Sequence, residues 1–236
     1  MNIRRLIGKF GSGLDILRLK ALPSYSQAGE DMIVNYLLAS VGIKNPTYLE
    51  IGTNLPDRGN NTYYFYRKGY RGVCIEPDAS LCELIRKVRP DDKLLNIGIG
   101  LTQDSSATFY IFPGYHHSWN TFSAEDAAAK EKESGFNARQ VQVPLRTINS
   151  VIDEHFGACP NFVSLDVEGW DLAILKSMDL EKYRPEVFCV ETISFSTLNK
   201  EVKMQDTIDY MHSKGYISYA DTHINTIFCK SELFHC

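Results

Sequence analysis

The sequence predicts an α/β fold in one domain, a mostly parallel sheet covered by helices. Three observations lead to it. Short apolar runs alternate with longer stretches of helical periodicity, as strands joined by crossover helices do. Several of those runs end in a carboxylate or pass straight into one. The chain, at 236 residues, is long enough to bury a substantial core, and no internal repeat or low-complexity tract divides it.

Residues 1–23 stand apart as a basic arm or helix. Arg4, Arg5, Lys9, Arg18 and Lys20 outnumber Asp15, with apolar residues between them. Two readings stand: a basic amphipathic helix making weak contact with an anionic membrane surface, or a helix or partly ordered arm against the domain. The domain proper covers 24–236. Its first helix is expected over 30–41, with Met32, Ile33, Tyr36 and Leu37 on one face. A strand over 47–51 follows, then a loop rich in Gly, Asn, Pro and Asp over 52–61. A helix over 62–68 leads to a second strand at 72–75, and a helix over 80–88 to a third at 93–97.

The pattern loosens over about 107–144, where Tyr110-Ile111-Phe112 and Val141-Gln142-Val143 read as short strands around a charged helix at 125–133. An insertion over an active site has this form. A helix over 147–155 precedes a fourth strand at 162–166. A helix over 172–178 and a fifth strand at 186–191 come next. After a helix over 203–214, residues 216–220 and 226–230 are expected to close the sheet as a hairpin.

Composition excludes some functions. A net charge of −4 supplies no strong basic field, so nucleic acid is not an expected partner. No apolar stretch approaches the roughly 18–20 residues of a membrane-spanning helix. Gly11, Gly13 and Asp15 interrupt any signal-peptide pattern. The six cysteines form no C-x-x-C pair and several lie in apolar runs. They are expected to be reduced and buried, which points to the cytoplasm.

The strongest chemical signal is Tyr48-Leu49-Glu50-Ile51-Gly52-Thr53-Asn54, a buried strand ending in a carboxylate and then a glycine. Ligands of open α/β sheets bind at the carboxyl ends of the strands, where a glycine lets backbone approach closely. The second strand ends in Glu76, followed by Pro77 and Asp78; a carboxylate there can accept from both ribose hydroxyls of a nucleoside. The loop lacks G-x-G-x-x-G, so it does not cradle a pyrophosphate. S-adenosylmethionine has no pyrophosphate and carries a sulfonium and an amino group, which suit Glu50. The alternative is that Glu50 and Glu76 cap helices.

A second signal is Ser164-Leu165-Asp166-Val167-Glu168-Gly169-Trp170-Asp171. It places Asp166 at a strand tip, with Glu168 two residues on and Asp171 poised to cap the next helix. The fifth strand ends likewise at Glu191. If those strands are neighbours, Asp166 and Glu191 lie side by side. Oxygen ligands of that kind suit Mg²⁺ or Ca²⁺; otherwise they bind the amino group of the methyl donor or a substrate hydroxyl. Among the histidines, His116-His117 precedes Trp119 in the loose segment, where a substrate lid would lie, and His223 sits in the terminal turn. Each is otherwise a surface residue. The aromatic residues Tyr110, Tyr115, Trp119 and Phe122 of the insertion could stack on a sugar ring, or pack a small core of their own.

Taken together these segments resemble the FkbM family of S-adenosylmethionine-dependent methyltransferases. The matching stretches are residues 25–31, Glu50-Ile51-Gly52-Thr53-Asn54, residues 61–66, Gly72-Val73-Cys74-Ile75-Glu76-Pro77, Leu165-Asp166-Val167-Glu168-Gly169 and Asn225-Thr226-Ile227-Phe228. The resemblance implies a Rossmann-like fold: a mostly parallel seven-stranded sheet with an antiparallel last strand and helices on both faces. It implies O-methylation of a sugar, glycan or secondary-metabolite hydroxyl. By the same resemblance Glu50, Gly52 and Asn54 hold the methionine end of the cofactor and Glu76 and Pro77 flank its ribose. Asn96-Ile97 borders the adenine, Ser26-Gln27 closes over the cofactor, and Asp166 faces it. Some related enzymes bind Mg²⁺ where Asp166 and Glu191 stand; here Thr192 occupies a position that a further ligand would take.

Methyl transfer is an in-line displacement, so the protein must align the acceptor oxygen and remove its proton. Asp166 is the expected base, alone or through a divalent ion, with Glu168 and His117 behind it. Two competing readings are a nucleotide-sugar or NAD-binding oxidoreductase, which needs a glycine loop that this chain lacks, and a non-catalytic S-adenosylmethionine-binding protein. The acceptor's identity and the oligomeric state are left open.

Overall fold

In strand β1 (Tyr48–Ile51) all four side chains are buried, so the sheet must be covered on both faces there. The computed structural model describes residues 23–103, 105–167, 169–193 and 202–234. The basic arm at 1–20 and its expected membrane contact lie outside these residues. Tyr48 packs with Val34 and Leu37 of helix α1 (Glu30–Ser40) and Phe65 of α2 (Tyr63–Arg67). Leu49 and Ile51 face the other way, onto Val151 and Ile152 of α5 (Ile148–His155) and Ile174 and Leu175 of α6 (Asp171–Ser177). The strand period of two thus divides the core into two layers.

Strands β2 (Gly72–Ile75), β3 (Lys93–Leu95), β7 (Phe162–Leu165), β8 (Val187–Glu191), β9 (Tyr216–Asp221) and β10 (Asn225–Lys230) complete a seven-stranded sheet. Its order is β3-β2-β1-β7-β8-β10-β9. The neighbours from β3 to β8 are parallel, while β10, the last strand in sequence, runs antiparallel to both β8 and β9. That is the expected fold. Chain order reverses between β1 and β7, and the crevice for a ligand opens at such a switch point.

The loose stretch resolves into a second, three-stranded sheet of order β4-β6-β5, with β4 (Gly98–Ile99), β5 (Ser105–Ile111) and β6 (Arg139–Arg146). Its strands begin earlier than the apolar triplets indicated, β5 ending at Ile111 and β6 running on to Arg146, and the third strand of the main sheet stops at Leu95 so that Gly98 can join it. Helix α4 (Ala124–Ser134) starts where Ser123 accepts the N–H of Asp126. Asn120 ties this unit down: its Oδ1 accepts the N–H of Phe112 at 2.9 Å and its Nδ2 donates to Asp78 at 3.3 Å. Asp78 in turn caps α3 (Ala79–Val88) by accepting from Ser80. The last helix, α7 (Gln205–Ser213), leads into the closing hairpin.

Among the described residues no helix is long and apolar enough to cross a membrane. Cys74, Cys82, Cys159, Cys189 and Cys229 are free thiols.

One buried cation organises the floor of the crevice. Arg89, just past α3, is 1 % exposed. Its Nη1 donates to Glu50 at 2.9 Å, its Nη2 to Thr62 at 2.7 Å and its Nε to Asp92 at 2.8 Å. Asp92 also accepts from the Tyr48 hydroxyl and the N–H of Gly72. Glu50 also accepts from Asn60, whose Oδ1 takes the N–H of Tyr63 at the start of α2. Removing the guanidinium leaves two buried carboxylates without their cation. Arg89→Met is therefore expected to lower stability by about 3–5 kcal/mol, read as a displaced urea transition; a loss below about 1 kcal/mol would show that the cluster is dispensable.

Candidate active site

A cleft of about 670 Å³ lies over the carboxyl ends of the parallel strands, a size ordinary for small-molecule sites. Strand pairing puts the predicted carboxylates there. The N–H of Asp166 bonds to Ile51 O, those of Gly52 and Thr53 to Ile75 O, and that of Glu76 to Leu95 O. Each tip is therefore locked to its neighbour. Gln27, Gly52, Asn54, Glu76, Pro77, Ile97, His117, Asp166 and Glu191 all line the cleft.

On the β1–β3 side Gly52 has φ +82°, and a methyl group on it would sit 1.9 Å from Asp166 O. No other residue fits there. Asn54 also adopts positive φ, at 52°, a conformation that asparagine tolerates. Its side-chain Oδ1 is buried without a partner, an acceptor awaiting a donor. The Glu76 carboxylate accepts the N–H of Asn54 on one oxygen and that of Asp78 on the other, each at 2.8 Å. Each oxygen retains a further lone pair. Burial pushes the Glu76 carboxyl up to about 7, against the two backbone N–H bonds. This side offers a glycine cradle, an unpaired acceptor and a carboxylate, which fits a nucleoside bearing a cationic tail.

On the β7–β8 side Asp166 and Glu191 share a hydrogen bond. Burial pushes Asp166 up to about 6; the bond to Glu191 opposes this and the charge of Glu50 adds to it. Two carboxyls so placed disfavour each other's charged form, so their protons come off as those of a pair. Thr192 is fully buried and spends its hydroxyl on Thr226, 2.6 Å away, so it is no ligand. Among the described residues no three His, Cys, Asp or Glu side chains could hold a metal ion. At the expected Mg²⁺ site the described residues thus supply two carboxyls hydrogen-bonded to each other, Asp166 and Glu191, and no third ligand beside them.

Three expected residues stand elsewhere. Glu50, 3 % exposed, turns to Arg89 instead of lining the cleft, because its place in β1 shares the face of Tyr48. Ser26 donates to Asp31 at 3.0 Å and accepts from Gly29, so it builds the strap that carries Gln27 to the cleft. Asn96 donates to the carbonyls of Glu76 and Pro77, and so shapes the turn from behind. Glu168 lies outside the described residues. Asp171 does not cap α6 as expected; it sits in the first turn and accepts the N–H groups of Val167 and Gly169.

Sequence reasoning missed Arg89, Asn60 and Asn120, which hold the cleft together without entering it through a motif. It also missed Glu30, fully buried, which accepts from Thr222 and Asn225 and ties the strap to the closing hairpin. Burial opposes its charge, but hydrogen bonds from Thr222, the Ala28 N–H and Asn225 hold it below the usual range. His117 lines the cleft with a buried, unpartnered Nδ1. Burial first, then Arg58 and His116, lowers its pKa, against Asp78, so it is neutral at neutral pH. His223, at φ 76°, stands exposed at the cleft mouth.

A family model described as the methyltransferase FkbM domain matches residues 50–218. A search of curated proteins finds no match. Among solved structures, a candidate caffeoyl-CoA O-methyltransferase from Staphylococcus aureus is 9 % identical, with 97 % of each chain covered and a TM-score of 0.49. The O-methyltransferase from Bacillus cereus in complex with S-adenosylhomocysteine is 12 % identical, over 91 % of this chain and 86 % of that one, at 0.42. The O-methyltransferase TomG from Streptomyces achromogenes, of tomaymycin synthesis and bound to S-adenosylmethionine, is 14 % identical over 94 % and 86 %, at 0.42. These values are too low to carry residue correspondences.

The buried acids make a pH prediction. Burial first, then the charge of Asp166, pushes Asp171 from 3.8 to about 7. A carboxyl raised on folding contributes stability below its unfolded value, and the contribution is lost as pH rises through the folded one. Asp171→Asn is therefore expected to gain in Tm relative to the parent as pH rises from about 5 to about 8. A Tm difference between the two that stays flat over that range would refute the assignment.

Proposed function

The chain belongs to the FkbM methyltransferase family, and from that premise we propose that it transfers a methyl group from S-adenosylmethionine to a hydroxyl of a sugar, glycan or secondary-metabolite acceptor. The observation that carries this reading is the division of one cleft. Gly52, Asn54 and Glu76 form a nucleoside-binding side next to the Asp166–Glu191 carboxyl pair.

S-adenosylmethionine supplies a methyl group already activated on a sulfonium; the acceptor's O–C bond forms as the S–C bond breaks, and the electron pair leaves with the thioether. Glu76 binds the ribose hydroxyls through its free lone pairs. Asn54 Oδ1 accepts from the donor's ammonium, and Gly52 lets the chain pass close. The strap bearing Gln27 covers the open side and excludes water. Asp166, hydrogen-bonded to Glu191, takes the acceptor's hydroxyl proton as the new bond forms. A base of pKa near 6 is mostly ionised at neutral pH and accepts a proton with little penalty. His117, neutral and buried at its Nδ1, is the alternative base.

No metal enters this scheme. An oxidoreductase using NAD would need a glycine-rich phosphate loop, which Gly52-Thr53-Asn54-Leu55-Pro56 does not provide. A non-catalytic binding protein would have no use for a base next to the nucleoside side.

Two measurements test the reading. Calorimetry with S-adenosylhomocysteine is expected to show binding that weakens about tenfold or more in Glu76→Ala, as loss of hydrogen bonds to a charged group implies. Asp166→Asn is expected to keep that affinity within a few-fold while kcat drops by about 10²–10⁴, the usual worth of a positioned base. Full activity in a folded, cofactor-binding Asp166→Asn protein would remove Asp166 from its role.

A further inference from the structure

The cleft wall around Asp166 contains one large side chain that neither the fold nor the methyl-transfer chemistry explains. Trp170 lines the cleft with 41 % of its surface exposed. Scattered apolar residues at the surface need no explanation, but this one is held in place. Gly169 before it takes φ +91°. Asp171 after it is buried and grips the N–H groups of Val167 and Gly169, each at 3.3 Å. The carbonyl of Trp170 accepts the N–H of Ile174, 3.0 Å away, in the first turn of α6. Hydrogen bonds thus hold the described backbone on both sides of the indole.

Other aromatic side chains of the region are occupied. Phe109 and Phe122 pack on each other at 4.6 Å. Trp119 lies between His116, 4.3 Å away, and Phe112, at 5.8 Å. These four therefore build that unit's own small core, while Tyr115, 94 % exposed, does not line the cleft. Among the described residues no ring stacks on Trp170 and no cation lies over it.

Position decides what the indole can meet. Trp170 follows β7 on the turn that carries Asp166, and Glu191 of β8 and His223 before β10 line the same cleft. An apolar face beside a carboxyl pair and an imidazole matches a ligand with one C–H face and a rim of hydroxyls.

Resting on the sugar O-methyltransferase reading, we infer that Trp170 is the specificity platform for the acceptor, stacking on the C–H face of a sugar ring so that one hydroxyl of its rim meets the Asp166–Glu191 pair. The choice of hydroxyl follows from which ring face lies on the indole.

The chain has two tryptophans, so in a Trp119→Phe background Trp170 alone reports by fluorescence. That protein, loaded with S-adenosylhomocysteine, is titrated with the methyl glycosides of glucose, galactose, mannose and rhamnose, and separately with catechol. At least one glycoside is expected to give a saturable change in emission, with none from catechol. With labelled S-adenosylmethionine and that glycoside, Trp170→Ala is expected to raise KM roughly tenfold with kcat within a few-fold, as loss of a stacking contact predicts. Affinity for S-adenosylhomocysteine stays unchanged, and Trp170→Phe restores most of the KM. The inference is overturned if no glycoside perturbs the indole, if catechol does so instead, or if Trp170→Ala keeps its KM. A parent protein that fails to bind S-adenosylhomocysteine overturns the methyltransferase reading as well, which separates the two failures.

Discussion

A buried guanidinium is the constraint on which this cleft depends. Arg89 stands between Glu50 at the end of β1 and Asp92 before β3, with all three side chains buried. Taking three charges out of water is costly, and their attraction offsets that cost only when every hydrogen bond is placed well. Here each placement also fixes backbone: Asp92 holds Gly72 at the head of β2, and Asn60 holds the start of α2. The cluster thus sets the distance between β1, β2 and the loop from Gly52 to Asn60. An apolar substitute of similar volume could fill the space, but it would not specify where that loop runs.

Once the loop is placed, the cleft acquires two chemical characters. Near β2 a carboxylate is made to accept two backbone N–H groups, which orients it and leaves its outer lone pairs for a ligand. Near β7 and β8 two carboxyls face each other and share a hydrogen bond. Both arrangements raise carboxyl pKa values by burial, to about 7 at Glu76 and about 6 at Asp166, yet they do different work. The first is pinned by backbone and suits binding. The second has a partner with which to exchange a proton and suits acid–base chemistry. Perturbed carboxyls in one cleft are what a site for proton transfer requires.

Much of this was legible in the sequence. Strand tips could be read because a buried strand is a short apolar run, and a carboxylate ending such a run stands out; Glu76, Asp166 and Glu191 were found that way. The closing hairpin and the antiparallel β10 were equally accessible. Glu50 carried the same signal and went elsewhere. A four-residue strand buried on both faces gives no hint of which face is which, and Glu50 shares that of Tyr48. Arg89 sent no signal, because an arginine at the end of an amphipathic helix beside Pro90 reads as a solvated cap. The second sheet was half visible: β4 has two residues, and β5 opens with the polar Ser105 and Ser106, so only its apolar end resembled a strand.

The same limit governs side chains that serve a ligand rather than the fold. Trp170 follows Gly169 in a turn, where periodicity carries no information, and its exposure is ordinary for a tryptophan beside a helix start. Only the placement of β7 beside β8, with β10 beyond, brings it to the wall that carries Asp166 and Glu191. Asp171 was expected as a cap and instead accepts the N–H groups of Val167 and Gly169, which ties the residues before the indole to the start of α6. A catalytic carboxyl needs its substrate oriented within fractions of an ångström, and under the proposed reading an aromatic face four residues from Asp166, on the same strand-to-helix turn, is placed to supply that orientation.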